Sequence, residues 1–253
     1  MFFKRARTES RPPAAPPAGL RSWTGVPLIQ EKLDLINHAF GTFPIRSFAD
    51  LGCTWQVEGA YTFRAIEDHR ASPAVMVDTW IPEAMRERAL RYRDLRIVQG
   101  SFGDLPIARA VGTVDAVFMF DVLLHQVKPD WDEVLDIWAR FTSHFLIYNQ
   151  QWIKSPATVR LIDLGREGYM KSVPRPQDPS IYEKLFAHLD EPVTPGSART
   201  YRDSCLYWQW GITDADLVRK MLERGFIMQY FRNCGSAFGI EGFENHAFVF
   251  SKQ

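Results

Sequence analysis

Short apolar runs alternate along this chain with stretches whose apolar residues recur at helical spacing. The runs predict buried strands at 46–51, 73–78, 95–98, 113–120 and 144–148. The amphipathic stretches between them predict helices at 27–40 (with Gly41 as stop signal), 58–69, 82–91 and 130–141. Strands that alternate with helices indicate an α/β fold: a mostly parallel sheet with helices on both faces.

The last part of the chain predicts a different kind of strand pair. A helix is expected from Thr213 to Gly225, with Leu217, Val218, Met221 and Leu222 as its apolar stripe, followed by strands at 226–231 and 247–250. The interval 232–246 is too short for a typical strand–helix–strand crossover, so these strands are expected to form an antiparallel C-terminal hairpin. The whole pattern predicts a seven-stranded sheet that is parallel except at this end pair.

Two segments interrupt this pattern. Residues 1–22 are rich in proline and predict a disordered tail, which leaves 23–253 as one domain. Residues 155–207 predict a helical insertion or lid over the ligand-binding edge, with helical segments near 157–166 and 179–189. Between those segments lie Pro174, Pro176 and Pro179.

Composition narrows the classes of function. The 253 residues carry 30 basic and 30 acidic side chains, and this balance argues against nucleic acid as the main partner. Three cysteines without a Cys-x-x-Cys motif argue against a disulfide framework or a metal site, and favour a reducing cytoplasmic location. No run approaches the roughly 18 apolar residues of a membrane span.

The first three predicted strands end in residues suited to a nucleoside ligand. In open parallel sheets, ligands bind where the carboxyl ends of the strands meet. There Gly52 would let the backbone approach a ligand, Asp50 could accept hydrogen bonds from loop donors or a bound amine, and Asp78 could accept two ribose hydroxyls. In the loop after the third strand, Ser101 could bond an adenine edge and Phe102 could pack on its face. The alternatives are ordinary turns and, for Asp78, a helix cap.

The ends of the fourth and fifth strands carry candidates for catalysis and acceptor binding. His125 could take a proton from a substrate hydroxyl, and it would share a helical face with Asp121 if that segment were helical. Polar and aromatic side chains that could line an acceptor pocket are Gln150, Trp152, Trp208 and Trp210. The alternative is that His125 is structural and the aromatic residues belong to the core.

With these residues set out, the chain resembles the class I S-adenosylmethionine-dependent methyltransferases. The resemblance covers about residues 28–150 well and 207–251 in outline. The segments that match the family's ordered motifs are Asp50-Leu-Gly-Cys, Asp78, Gly100-Ser-Phe-Gly-Asp-Leu-Pro, the run from Val114 to His125, and Phe145-Leu-Ile.

The resemblance implies a Rossmann-like fold, S-adenosylmethionine as cofactor, and methylation of a small molecule on oxygen or nitrogen. It implies His125 as first choice of base and Tyr148 as second, and a homodimer is possible. The cofactor contacts it implies are Asp50, Gly52, Cys53, Gly59, Asp78, Ser101, Phe102, Asp104, Phe120 and Asp121.

The chain departs from the family pattern at two places. Thr54, Trp55 and Gln56 stand where small residues are common. Ser101 stands where many members carry an acid, for which Asp104 could substitute. Two other classes therefore stay open. One is a non-catalytic methyltransferase-like scaffold. The other is a nicotinamide-dependent oxidoreductase, although the chain lacks Gly-x-Gly-x-x-Gly after the first strand.

Overall fold

The computed structural model describes residues 21–175, 178 and 180–253. Most of the expected tail at 1–22 lies outside the described residues, as do Pro176 and Pro179. The strands are β1 (Phe48–Leu51), β2 (Ala74–Asp78), β3 (Leu95–Gln99), β4 (Val114–Phe120), β5 (Thr142–Trp152), β6 (Val159–Arg160), β7 (Trp210–Gly211), β8 (Phe226–Ser236) and β9 (Phe243–Lys252). The α-helices are α1 (Gln30–Thr42), α2 (Ala60–His69), α3 (Glu83–Ala89), α4 (Leu105–Val111), α5 (Trp131–Trp138), α6 (Gly165–Lys171), α7 (Ser180–Ala187) and α8 (Asp214–Glu223).

Seven strands form one sheet in the order β3-β2-β1-β4-β5-β9-β8. The first five strands pair in parallel, whereas β9 runs antiparallel to both β5 and β8. The expected fold class is therefore confirmed, including the antiparallel pair at the end of the chain. Strands β6 and β7 form a separate two-stranded sheet.

Helices cover both faces of the large sheet, and β4 shows why its sequence is almost continuously apolar. Its residues Ala116 and Phe118 pack into the core layer that includes α1 and α2. Val117 and Met119 point the other way, into the layer that includes α5 and α8. A strand buried on both faces needs apolar residues at consecutive positions rather than at every second one.

Two helix starts follow the capping pattern in the sequence. Asp130 and Glu133 form a reciprocal capping box at the start of α5, where Glu133 accepts the Asp130 backbone N–H at 2.8 Å. Thr213 caps α8 by accepting the Asp216 N–H at 3.2 Å. Leu222 is a correction to the expected stripe of α8, because its side chain is 58% exposed.

Other expectations of local structure were wrong. Helix α1 runs through Gly41 to Thr42, and α4 occupies part of a region that was expected to be a loop. Proline at position 106 lies in the first turn of α4, where its missing N–H costs nothing. The stretch 157–166 is not one helix: β6 comes first, then a 3-10 turn at Leu161–Leu164, then α6.

The segment 155–207 packs as a folded unit with its own core. Buried aromatic and aliphatic side chains from α6, α7 and the flanking turns meet residues of β5 and β9 there, among them Leu161, Tyr169, Leu185, Trp152 and Phe243. Asp203 accepts from Arg160 at 2.8 Å and pairs with Lys128 at 2.5 Å. Over the described ranges, no helix has both the length and the apolar character needed to cross a membrane.

Candidate functional site

The glycine turn after β1 is built around two left-handed backbone positions. Gly52 has φ +71° and donates its N–H to the Val77 carbonyl at 2.8 Å. A Cβ at Gly52 would lie 2.6 Å from Cγ1 of Val122, so only glycine fits. Gly59, with φ +74°, caps the start of α2. The turn therefore requires glycine for its own geometry as well as for any ligand.

The bulkiest residue of this turn, Trp55, points away from it. Trp55 is 80% exposed, so its indole points into solvent and does not fill the loop. The backbone between Cys53 and Gly59 closes through two hydrogen bonds, from Glu58 N–H to the Thr54 carbonyl at 2.9 Å and from Gly59 N–H to the Cys53 carbonyl at 2.8 Å. Cys53 itself is buried. The loop therefore forms a tight turn even though Thr54, Trp55 and Gln56 replace the small residues that are common in the family.

Asp50 lies beneath the turn and is buried. Its Oδ2 accepts the Thr62 hydroxyl at 2.6 Å. Burial raises the pKa of Asp50 to about 6, while the Thr62 hydrogen bond and the charge of Lys32 oppose the rise and Asp78 adds to it. Asp50 therefore supports the loop from inside, and it changes charge close to neutral pH.

Asp78 is the last residue of β2, and its two carboxylate oxygens differ in their hydrogen bonding. Oδ2 accepts the Thr54 N–H at 2.9 Å, which ties the turn after β1 to β2. Oδ1 has only long contacts of 3.4 Å, with the Thr79 hydroxyl and the Trp80 N–H. One oxygen is therefore structural, and the other remains open to a ligand. Trp80 beside it is 64% exposed.

In the loop after β3, polar groups of Ser101 and Phe102 already form hydrogen bonds within the protein. The Ser101 hydroxyl accepts the Gly103 N–H at 3.2 Å, and the Phe102 carbonyl accepts the Trp138 indole N–H at 2.8 Å. The Phe102 ring is partly buried against the core, near Gly52. Asp104 is exposed at the start of α4 and makes no side-chain cap there.

A buried ion pair lies at the end of β4. The ammonium of Lys32, in the first turn of α1, contacts Oδ2 of Asp121. Lys32 is 7% exposed and Asp121 30%. The ammonium also lies 5.2 Å from the ring centroids of Tyr61 and Tyr148 and 5.9 Å from that of Phe120. A charged lysine is thus held by one carboxylate and three aromatic faces.

The amide of Gln150 extends this pair across the sheet. Its Nε2 donates to Asp121 Oδ1 at 2.7 Å and to Asn245 Oδ1 at 3.1 Å, and so links β4, β5 and β9. Asp121 has φ +58°, a left-handed conformation that is uncommon outside glycine. It precedes the short 3-10 turn Leu123–His125, so the condition under which Asp121 and His125 would share a helical face is not met.

His125 and Tyr148, the two candidate bases, lie in different surroundings. The His125 Nδ1 donates to the Tyr207 carbonyl at 2.9 Å, and burial lowers the pKa of the imidazole. Tyr148 packs in the core layer under α1, where burial raises its pKa far above the usual range. His125 is therefore the neutral, base-like group, while Tyr148 keeps its proton.

The tryptophans expected at the acceptor site hold the insertion in place. Trp152 and Trp208 both pack on Phe243, with ring centroids 5.0 and 5.1 Å away. The Trp210 indole donates to the Gln126 carbonyl at 2.6 Å. Trp152 and Trp208 lie in the apolar cluster that also contains Leu161, Tyr169 and Leu185 of the segment 155–207. The contact of the three tryptophans with an acceptor stays a prediction.

Sequence reasoning missed Lys32, Trp80 and Asn245. A signal for Lys32 was present, since it occupies the same helix face as the buried residues Leu35, Ile36 and Ala39. A lysine on an inward face needs a buried partner. In the described part of the chain, no group of three or more His, Cys, Asp or Glu side chains is arranged to hold a metal ion.

No protein-family model matches the chain, and no curated protein matches it. Solved structures do. An O-methyltransferase family protein from Burkholderia thailandensis matches with a TM-score of 0.55 and 11% identity over 88% of this chain, which spans 56% of that protein. A 1,6-didemethyltoxoflavin-N1-methyltransferase from the same species, with bound S-adenosylhomocysteine, matches with a TM-score of 0.55 and 13% identity. The match covers 88% of this chain and 77% of that one.

A third match is the magnesium protoporphyrin IX methyltransferase of Synechocystis PCC 6803 with bound S-adenosylhomocysteine. Its TM-score is 0.52 at 14% identity, over 88% of this chain and 83% of that one. At these identities the similarity concerns the fold. The chain has the fold of the class I S-adenosylmethionine-dependent methyltransferases, with the mostly parallel seven-stranded sheet and the antiparallel end pair that the sequence predicted.

We expect Gly52→Ala to destabilise the protein by at least about 1 kcal/mol more than Gly225→Ala, as measured by urea unfolding. Both positions have positive φ, but a Cβ at Gly225 meets nothing within 4 Å. Adding Val122→Ala should recover part of the loss at Gly52, because it removes the clashing methyl group. Equal losses at the two glycines would contradict the steric account.

We expect Asp50 to make the protein less stable as pH rises from about 4 to about 6. Its folded pKa lies near 6, above the ordinary value, so the folded state binds a proton that the unfolded state has released. Between pH 5 and pH 7.5, wild type should lose roughly 1 kcal/mol relative to Asp50→Asn in the free energy of unfolding. Parallel curves for the two proteins would refute the shifted pKa.

We expect the His125 imidazole to titrate below its ordinary pKa of 6.5, because burial disfavours its charged form. Histidine side-chain NMR signals followed against pH, and assigned with His125→Gln, measure this directly. His246 is the internal control: burial lowers its pKa, but Asp214 at 2.9 Å and Glu244 at 3.2 Å outweigh that effect and raise it. The idea fails if His125 titrates above His246.

Proposed function

We propose that this protein transfers a methyl group from S-adenosylmethionine to a small-molecule acceptor, on oxygen or nitrogen. The observation that carries the proposal is the charge at the carboxyl edge of the sheet. Asp50, Asp78 and Asp121 lie there at the ends of β1, β2 and β4, and Lys32 contributes one ammonium among them. Three carboxylates with one ammonium favour a cationic ligand over an anionic one.

The residues at this edge fit a sulfonium nucleoside. Asp78 Oδ1 is open to accept ribose hydroxyls, Gly52 adds no side chain of its own to the turn, and Trp55 stays outside the loop. The cofactor supplies an activated methyl group, so the protein's main task is to position the two reactants.

His125 is the group we assign to proton transfer. Its Nδ1 proton is directed to the Tyr207 carbonyl, which leaves Nε2 with a lone pair that can accept the proton of an acceptor hydroxyl. Because burial lowers its pKa, the imidazole is uncharged at neutral pH. The segment 155–207 supplies that carbonyl, so the insertion both orients the base and covers the end of β5.

The acceptor is proposed from chemistry and by analogy. Two of the similar structures are named for small-molecule acceptors, 1,6-didemethyltoxoflavin and magnesium protoporphyrin IX. In this chain, Trp152 and Trp208 are buried against Phe243 near the end of β5, and we propose that they and Trp210 back a pocket for a small-molecule acceptor. The three cysteines are free, which suits a reducing cytoplasmic location.

One observation favours the alternative of a non-catalytic scaffold. Asp50 and one oxygen of Asp78 already bond groups of the same chain, Thr62 and Thr54, so the loop is stable without a ligand. An oxidoreductase is disfavoured by the carboxylates, which would repel the two phosphates of a dinucleotide.

Calorimetric titration with S-adenosylmethionine, S-adenosylhomocysteine and NAD separates the three classes. We expect both methyl-cofactor species to bind and NAD not to bind. A folded protein that binds none of them would support the scaffold and refute the enzyme. Binding of NAD alone would favour the oxidoreductase.

We expect Asp78→Asn to weaken S-adenosylhomocysteine binding by about 1–3 kcal/mol, because the carboxylate is lost while an amide oxygen remains to accept the Thr54 N–H. Asp94→Asn is the matched control, since Asp94 lies at the other end of the sheet and accepts from Ser72 at 2.8 Å. An unchanged affinity in Asp78→Asn would remove Asp78 from the cofactor site.

A further inference from the structure

His246 on β9 is a buried imidazole held between two carboxylates. Its side chain is only 4% exposed. Nδ1 lies 2.9 Å from Oδ1 of Asp214, the first residue of α8, and Nε2 lies 3.2 Å from Oε2 of Glu244, also on β9. The ring donates to both oxygens only when both of its nitrogens are protonated. The arrangement therefore favours the imidazolium, which it pairs with two anions.

The surroundings of His246 explain which groups set its charge. On its other sides stand uncharged side chains of β5, β8 and β9, namely Asn149, Asn233, Phe231 and Phe248. Burial disfavours the charged imidazole, but Asp214 and Glu244 outweigh burial and raise its pKa. The charge of His246 therefore depends on one carboxylate of α8 and one of its own strand.

Residues 207–213, the connecting segment, join the proposed base to α8. At the start of this segment, the Tyr207 carbonyl accepts a hydrogen bond from His125 at 2.9 Å. Near its end, the Ile212 carbonyl accepts the Trp152 N–H at 2.7 Å, which attaches the segment to β5. Helix α8 begins directly after it. A shift at the start of α8 can therefore reach the carbonyl that orients His125 through one short stretch of backbone.

We propose that His246 is a positioning residue: its imidazolium holds Asp214 against β9, and so keeps the connecting segment in the place where it orients His125. The role of His125 in this proposal rests on the proposed function. Loss of the His246 proton replaces two charge-assisted hydrogen bonds by at most one ordinary bond. Glu244 keeps its bond from Asn233 Nδ2 at 2.6 Å, so β9 stays joined to β8. The change therefore falls on the start of α8.

The direction of the pH dependence follows from the raised pKa of His246. Below about pH 6.5, the ordinary pKa of histidine, the imidazolium is fully present and holds Asp214. As pH rises through the folded pKa, which lies above that value, the proton is lost and its stabilising contribution is lost with it. His125 differs, because burial lowers its pKa. A change in the signals of His125 at alkaline pH therefore reports a different group.

The test is side-chain NMR of the full chain, with the ring signals of His125 and His246 followed from about pH 5 to about pH 9. We expect the His125 signals to show a second, smaller inflection above their own titration, with the same midpoint as His246. His246→Gln and His246→Lys should both lose this inflection. Near pH 9 the lysine variant should match wild type at neutral pH, because its ammonium is still charged. The glutamine variant should instead match wild type near pH 9.

His188→Gln is the matched control. His188 also pairs with a carboxylate, Glu191 at 3.0 Å, but both side chains are exposed and belong to the segment 155–207. Its loss should leave the second inflection of His125 unchanged.

Wild type alone decides the question if a variant does not fold. His125 signals without a second inflection, or with one whose midpoint differs from that of His246, overturn the proposal. An inflection that persists in His246→Gln overturns it as well. A shared midpoint, together with loss of the inflection in both His246 variants, supports it.

The measurement needs neither cofactor nor acceptor, so its outcome is separate from that of the proposed function. If the protein does not bind S-adenosylhomocysteine but His125 follows His246, the function fails and the contact between α8 and β9 stands. If it binds S-adenosylhomocysteine and His125 shows no second inflection, the function stands and His246 is not a positioning residue.

Discussion

The parallel register that holds β1 between β2 and β4 is the constraint on which the site depends. Leu51 stands opposite Val77 on one side and Met119 on the other. Gly52, Asp78 and Phe120 therefore leave the sheet at one level, although they are far apart in sequence. The apolar residues of these strands, buried on both faces, keep that register, because a slip by one residue would exchange the two faces.

The same register creates an electrostatic problem that α1 resolves. It brings Asp50, Asp78 and Asp121 to one edge, and carboxylates near each other in a poorly solvated place disfavour ionisation. Asp50 shows the effect, since burial and Asp78 both raise its pKa. Lys32 opposes it by placing an ammonium at the same edge. The helix before β1 is therefore part of the site and not only a cover for the sheet.

The end of β5 shows how the insertion is tied to this centre. Beyond the level where β4 ends, β5 continues to Trp152 and pairs with β9 along its length. Trp152 and Trp208 meet on Phe243, and the Tyr207 carbonyl reaches back to His125. One strand extension thus holds together the proposed base, the segment 155–207 and the antiparallel pair.

Local signals predicted the elements that local chemistry decides. The capping residues Asp130 and Glu133 marked α5, and apolar runs marked β1 to β5, because helix ends and buried strands depend on nearby residues. Helix α4 was missed because Gly100, Gly103 and Pro106 indicate a loop, whereas proline is tolerated in a first helical turn. Strand β6 was missed because its two residues pair with β7, about 50 positions later in the chain.

The candidate site also has some features that the local sequence determines and others that depend on tertiary contacts. By itself the sequence determined the strand ends with Asp50, Gly52 and Asp78, since the order of strands and helices places their carboxyl ends together. Only the tertiary structure decided that one oxygen of Asp78 accepts the Thr54 N–H, that Trp55 points to solvent, and that Lys32 forms an ion pair with Asp121. Those contacts join residues 24 to 89 positions apart or depend on which way a side chain turns, and no local pattern encodes either.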